Sequence, residues 1–226
     1  MNIMFTKLQK LKEKHDYTPN IVLDIGAHHG YWTNRMMKIY PNIKYYLFEG
    51  IDYKQLDKYK TNKNVFIYKN ILLNDKEEEV DWYEEKNTGD SFFKELTHYF
   101  KDTKPIKRKT ITLDAIINRD DILKNDKNIF IKIDCQGAEI PILKGSTSIL
   151  TNTDFIVLEI PLFGKYNEGV PNFLEHIQFM DSIGFCPFDI LENHYVNNFN
   201  IQIDMLFINK SHKLNEVVQQ KIFSKV

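Results

Sequence analysis

At 226 residues, 42% of them hydrophobic and 27% charged, the chain is long enough to bury one sizeable α/β core and short for two full domains. Its 30 basic and 31 acidic side chains leave a formal net charge of -1, so no global field draws it to nucleic acid or to an anionic membrane surface. Two cysteines, Cys135 and Cys186, are too few for a disulfide framework or a cysteine-rich zinc site, which fits a reducing, cytoplasmic setting.

The segment Met1 to Tyr17 carries Lys7, Lys10, Lys12 and Lys14 without a long apolar core or a small-residue cleavage site, and is not expected to be a signal peptide. Phe5, Leu8 and Leu11 recur at helical spacing, which predicts a capping helix within residues 1–18 ahead of a domain over 19–226. Ile21 to Ile25 reads as a buried strand ended by glycine, and residues 31–39 as a helix stopped by Pro41. A strand over Ile43 to Phe48, a helix over about Tyr53 to Tyr59 and a strand over Val65 to Tyr68 follow. Such alternation predicts a parallel sheet covered on both faces.

Residues 74–110 break the pattern and are expected to form an elaboration over the sheet. They hold a short strand at Val80 to Glu84, a turn at Lys86 to Asp90 and a strand at Lys109 to Leu113 leading into the helix Asp114 to Asn118. The basic cluster from Lys101 to Lys109 within them reads as a solvated loop, so no nucleic-acid partner is expected. Alternation then resumes with strand Ile129 to Ile133, helix Ile140 to Leu150, strand Phe155 to Glu159, helix Asn172 to Ile183 and strand Phe185 to Ile190. A polar connection, Glu192 to Asn200, is short enough for a hairpin and places the last strand, Ile201 to Ile208, as an antiparallel edge. No run reaches the roughly 18 apolar residues that span a bilayer, so a soluble protein with no membrane span is expected.

Two segments share one design. Asn20-Ile-Val-Leu-Asp-Ile-Gly-Ala-His-His-Gly30 and Ile129-Phe-Ile-Lys-Ile-Asp-Cys-Gln-Gly-Ala-Glu139 each run from an apolar strand through a terminal acid, Asp24 or Asp134, into a glycine-containing turn and a helix. In open parallel sheets ligands bind beyond such strand ends, where the winding reverses. The turn Gly26 to Gly30 lets backbone approach a ligand, although a plain strand-to-helix turn has the same composition. Glu49, ending the next strand ahead of Gly50, stands where a carboxylate can accept hydrogen bonds from both hydroxyls of a ribose. With Asp24 it describes a nucleoside cleft. A pyrophosphate would be repelled by these acids, whereas the sulfonium and amino groups of S-adenosylmethionine suit them.

With these residues the chain resembles the FkbM-type family of S-adenosylmethionine-dependent methyltransferases over about residues 20–209. The similarity lies in Val22-Leu-Asp-Ile-Gly-Ala with Gly30, in Phe48-Glu-Gly, in Ile131-Lys-Ile-Asp-Cys-Gln-Gly-Ala-Glu with Leu143-Lys-Gly, and in Phe155-Ile-Val-Leu-Glu-Ile. Weaker echoes are Ile111-Thr-Leu-Asp114 and Ile203-Asp-Met-Leu-Phe207. The resemblance implies a single Rossmann-like class I methyltransferase domain, an α/β fold with a mostly parallel seven-strand sheet and an antiparallel edge strand. It further implies that Gly26, Ala27 and Gly30 wrap the methionine part of the cofactor, that Glu49 holds the ribose, and that Asp134 lies near the transferred methyl; His28, in the same loop, is expected to pack against or hydrogen-bond to the cofactor. Asp24, Gly50, Asn70 and Ile71 complete the expected cofactor contacts. Members are associated with O-methylation of sugars and other hydroxyl-bearing natural products, so a sugar or glycan acceptor is expected. This chain departs from the family pattern at His28, where Asn is usual, and at Gln136, where Glu is usual; the second change removes a carboxylate beside Asp134 and speaks against a metal.

Methyl transfer is an in-line displacement, in which holding the reacting atoms in register can contribute about 7 to 11 kcal/mol. A hydroxyl acceptor must still lose a proton, and the candidates to take it are Asp134, Glu159 and His194. His98, His176 and His212 read as surface residues, Trp82 as core of the elaboration and Cys135 as a small buried residue, while Thr88 to Phe92 are placed to close over adenine or acceptor. A methyltransferase-like domain that binds cofactor or glycan without turnover is the alternative reading.

Overall fold

In the computed structural model, which describes residues 3–163 and 166–222, apolar strands and amphipathic helices alternate much as the sequence dictates. The elements are α1 (Ile3–His15), β1 (Ile21–Ile25), α2 (Tyr31–Ile39), β2 (Lys44–Glu49), a short 3-10 helix (Lys54–Tyr59), β3 (Val65–Lys69), β4 (Leu72–Leu73), β5 (Glu79–Trp82), a second 3-10 turn (His98–Phe100), β6 (Ile106–Ile111) and α3 (Leu113–Asp120). There follow β7 (Ile129–Ile133), α4 (Glu139–Lys144), α5 (Thr147–Leu150), β8 (Thr153–Pro161), α6 (Phe173–Ser182), β9 (Phe185–Val196), β10 (Phe199–Asn209) and α7 (Lys213–Ile222).

Seven strands form one sheet in the order β3-β2-β1-β7-β8-β10-β9. Every residue of β1 and of β7 is buried, as expected of central parallel strands covered on both faces. One face packs Ile21, Leu23, Ile131 and Ile133 against the α3 to α6 side, and the other packs Val22, Phe130 and Val157 against Met4, Leu8 and Met36 of α1 and α2. The winding reverses between β1 and β7, whose ends are joined by the bond from Asp134 N to the Ile25 carbonyl at 3.1 Å. The ligand crevice of this architecture lies there.

Three expectations are corrected. The helix expected over 140–150 is two, broken at Gly145 and Ser146. A Cβ at Gly145 would run into the Asn74 carbonyl, and the Gly145 carbonyl accepts from Asp114 N at 2.9 Å, so tight backbone packing wins over helix continuity. The antiparallel strand β10 stands one place in from the edge, between β8 and β9. The segment Glu192 to Asn200 is mostly strand, turning only at Asn197 and Asn198, both left-handed at φ 49° and 65°. Asparagine tolerates that conformation, and the pair forms the two-residue turn that suits a hairpin. The polar composition that read as a loop belongs to a hairpin tip with Tyr195 and Phe199 exposed.

The elaboration carries a three-stranded sheet of its own, β4-β6-β5, with β4 parallel and β5 antiparallel to β6. Among the described residues no helix is long and apolar enough to cross a membrane.

Candidate functional site

The loop after β1 is held against the end of β2, because Gly26 N and Ala27 N both donate to the Phe48 carbonyl, at 3.0 and 3.1 Å. Gly26 lies at φ +77° with its backbone so close to Asp134 that any Cβ would strike the Asp134 carbonyl oxygen. This brings the two strand ends together into a cleft with about 1020 Å3 of atom-free space, lined by Gly26, Ala27, His28, Glu49, Gly50 and Asp134 among others. Ile71 also lines it.

Glu49 is fixed by two backbone donors, His28 N to Oε2 at 2.7 Å and Ile51 N to Oε1 at 2.9 Å. Burial pushes its carboxyl up, and those two N–H groups pull it back. A carboxylate oxygen has room for a second donor, so each can also accept from a vicinal hydroxyl. His28 sits at φ 47°, stacks on His29 at 3.8 Å and meets the Tyr53 ring edge-on at 4.9 Å. Burial, then the neighbouring His29, lowers its pKa and favours a neutral imidazole.

Several expected contacts lie elsewhere. Asp24 is fully buried behind the loop and does not line the cleft. Its Oδ2 accepts from the Thr33 hydroxyl at 2.5 Å and its Oδ1 stands 3.4 Å from Lys132 Nζ. Gly30 is packed against Tyr59, whose hydroxyl donates to the Gly30 carbonyl at 2.7 Å, and Asn70 lies outside the main cleft with its Oδ1 taking a bond from Arg108 at 2.8 Å. Arg108 also donates to the Gly50 carbonyl at 2.7 Å, so the basic stretch expected in a loop supplies a strand residue that braces the cleft.

Lys132 is the residue the sequence reading passed over. It is 6% exposed, opposite Asp24 in register, and donates to the Gly26 carbonyl at 3.0 Å while standing 3.4 Å from both Asp24 Oδ1 and Asp134 Oδ2. Burial alone would push the ammonium down; Asp134 and Asp24 together hold it above the usual lysine range. A lysine inside the apolar run Ile129-Phe-Ile-Lys-Ile is the signal that could have found it, since a buried charge requires partners.

A second cavity adjoins the cleft. It shares Tyr31, Trp32, Lys132 and Asp134 with it and adds Glu159, Glu192, His194 and Asp204. The three candidate proton acceptors Asp134, Glu159 and His194 are thus brought together, although His194 lies on β9 and not in a loop. His194 Nε2 stands 2.7 Å from Asp204 Oδ2, a bond that raises the pKa of the imidazole against the effect of burial. Gln136, at φ 52°, donates from Nε2 to Asp134 Oδ1 at 3.2 Å and to Glu159 Oε2 at 2.9 Å. Burial, then Asp134 and Asp204, holds the Glu159 carboxyl well above its usual range.

The elaboration forms one wall of the cleft through Trp82, Thr88, Asp90 and Phe92. Trp82 is buried, as expected of a core residue, and carries the Arg108 guanidinium over its ring at 5.3 Å. Cys135 is half-buried and faces the cleft, whereas a buried position was expected. His176, expected at the surface, is fully buried in α6 with Nδ1 2.9 Å from the Asn172 carbonyl. Among the described residues no group of three or more His, Cys, Asp or Glu side chains is arranged to hold a metal ion.

A family profile described as Methyltransferase FkbM domain matches residues 24–187. Among solved structures, the chain is similar to a 1,6-didemethyltoxoflavin-N1-methyltransferase from Burkholderia thailandensis, solved with that compound and S-adenosylhomocysteine, at TM-score 0.51 and 9% identity over 92% of this chain and 79% of the other. A methyltransferase FkbM from Methylobacillus flagellatus KT superposes at TM-score 0.49 and 13% identity, covering 83% of this chain; the present chain spans only 43% of that one. Magnesium protoporphyrin IX methyltransferase from Synechocystis PCC 6803 gives TM-score 0.48 and 6% identity over 91% of this chain and 81% of its own. At such identities the likeness is one of fold. No curated protein matches the sequence.

Proposed function

Because the chain belongs to the FkbM methyltransferase family, whose methyl donor is S-adenosylmethionine, we propose that it is an O-methyltransferase acting on a hydroxyl of a sugar, nucleotide-linked sugar or glycan intermediate. The observation that carries this reading is the meeting of two cavities at Asp134 and Lys132, one with the ribose-type acid Glu49 and the other with Glu159 and the His194–Asp204 pair.

The cleft fits the cofactor on three grounds: the backbone approach at Gly26, the free lone pairs of a clamped Glu49, and a lining that mixes aromatic with acidic groups. Bound S-adenosylmethionine supplies an electrophilic methyl on a sulfonium. Glu49 takes the ribose hydroxyls, Gly26 to His28 follow the methionine part, and Asp134 with Gly50 and Ile71 complete the lining. Asp24 and Gly30 act on the cofactor only through the loop they support.

In the second cavity the four acidic groups of Asp134, Glu159, Glu192 and Asp204 outnumber Lys132 and Arg35, which favours a neutral or aminated sugar ring there, with any phosphate of the acceptor held outside it. Trp32 and Tyr31 offer aromatic faces to a sugar ring. Glu159, whose carboxyl burial pushes well above its usual range, orients the acceptor by hydrogen bonding. His194, tied through Nε2 to Asp204, has Nδ1 left to take the hydroxyl proton, and Asp134 is the other acceptor within the same space. We place the protein in the cytoplasm, in keeping with its two unpaired cysteines.

The alternative, a domain that binds cofactor or glycan without turnover, draws on Gln136, which puts a neutral amide where the family carries an acid. Release of S-adenosylhomocysteine across a panel of free, aminated and nucleotide-linked sugars separates the two. Acceptor-dependent release, reduced at least tenfold in His194→Ala or Asp134→Asn, supports catalysis. Release that no acceptor raises above background, from protein that binds the cofactor, favours the binding domain.

A further inference from the structure

Tyr53 follows β2 at the start of the Lys54–Tyr59 turn and lines the cofactor cleft at 8% exposure. Its ring is held edge-on to His28 at 4.9 Å and to His29 at 4.7 Å, and its carbonyl accepts from Lys69 Nζ at 3.4 Å. The position of the ring is therefore set from several sides. Its hydroxyl nevertheless is buried with no hydrogen-bond partner among the described residues.

A buried hydroxyl without a partner costs about 1 to 3 kcal/mol, and a core position needing only the ring would be served by phenylalanine. Nearby Glu49 has one backbone donor on each oxygen, and Asp90, on the facing wall, already accepts from Glu85 N at 2.7 Å and Asn87 N at 3.2 Å. Burial, then the carboxylates of Asp90, Glu49 and Glu84, pushes the phenol up to about 12, so it carries its proton at any physiological pH. Glu49 thus offers the cleft an acceptor of hydrogen bonds and, on the next turn of chain, the lining residue Tyr53 carries a donor that none of the described residues uses.

We infer that the Tyr53 hydroxyl is a cofactor-binding group, donating a hydrogen bond to an acceptor atom of the adenosyl moiety when the ligand fills the cleft. The inference rests on the reading of this cleft as the S-adenosylmethionine site. It assigns Tyr53 a role beside Glu49: the acid takes the donors of the nucleoside and the phenol takes one of its acceptors.

Titration calorimetry of wild type and Tyr53→Phe with S-adenosylhomocysteine and with adenosine tests it. The variant keeps the ring against His28 and loses only the hydroxyl. Both ligands are expected to bind three- to tenfold more weakly, the size of one neutral hydrogen bond, while the ligand-free variant melts at the wild-type temperature or above it, because a group without a partner has been removed. Unchanged affinity for both ligands overturns the role of Tyr53, as does a loss confined to S-adenosylhomocysteine or a ligand-free variant that melts several degrees lower. Wild-type protein that binds neither ligand refutes the cleft assignment itself, a result separate from failure at Tyr53.

Discussion

The side-chain amide of Gln136 donates to Glu159 Oε2 at 2.9 Å, and the same nitrogen reaches Asp134 Oδ1 at 3.2 Å. One neutral group thus spans two carboxylates that would otherwise repel across the boundary between the two cavities. Gln202 adds a second amide to Glu159 Oε2 at 3.2 Å. Gln136→Glu removes the donor and sets a third acid between the other two, at an expected cost of about 2 to 4 kcal/mol at pH 8. Protonation relieves the repulsion, so the penalty should be smaller at acid pH than at pH 8. Urea unfolding at both pH values checks this, and a variant as stable as wild type at pH 8 contradicts it.

Lys132 holds Asp24 and Asp134 from one ammonium, so Lys132→Met strands a fully buried carboxylate. Loss of one partner from a buried charge cluster costs about 3 to 5 kcal/mol. Adding Asp24→Asn should recover part of the loss, because the Thr33 hydroxyl can still donate to the amide oxygen. Equal stabilities of the single and double variants would show that the two charges are not coupled.

Glu139 gives the clearest dependence on pH. It is 1% exposed at the start of α4, accepts from Cys135 N at 2.8 Å, and burial pushes its carboxyl up to about 7 from the 4.5 of a free glutamate. With the folded value above the unfolded one, its contribution is fully present below pH 4.5 and is lost as pH rises through 7. Glu139→Gln keeps an acceptor for Cys135 N and should remove this decline, on the order of 2 to 3 kcal/mol, between pH 5 and 8. Parallel pH-stability curves for variant and wild type would contradict the assignment.

Gly26→Ala combines a left-handed backbone with a clash against the Asp134 carbonyl. An expected loss of at least about 3 kcal/mol follows from strain and overpacking together. Because the clash lies between the two strand ends, cofactor affinity should fall as well. A variant with wild-type melting temperature and affinity would show that the loop has slack.

What the chain discloses and what it hides follow from the range of the interactions. Strands β1 and β7 are legible because they are buried on both faces, which demands near-continuous apolar runs, and Glu49 and Asp134 are legible because strand ends at a winding reversal are where such folds bind ligands. Asp24 reads like them but faces the α1 and α2 side with Lys132 opposite in register, a matter of strand pairing that a linear pattern does not state. His194 read as a loop residue because a solvated hairpin tip has the composition of a loop, and its partner Asp204 comes from the neighbouring strand. Tyr53 and Arg108 were hidden for a similar reason: Tyr53 lines the cleft and Arg108 donates to the Gly50 carbonyl from behind its wall, while their local sequence is that of a turn and a basic stretch.

The central claim is that Glu49 holds an adenosyl ligand in the cleft between β1, β2 and β7. Calorimetric titration of S-adenosylhomocysteine into wild type and Glu49→Ala tests it most directly. Each charge-assisted bond to a ribose hydroxyl is worth about 1.5 to 3 kcal/mol, so single-site binding in wild type that weakens roughly tenfold to a hundredfold in the variant is the outcome expected. No heat of binding in wild type, or an affinity undiminished by loss of the carboxylate, would contradict it.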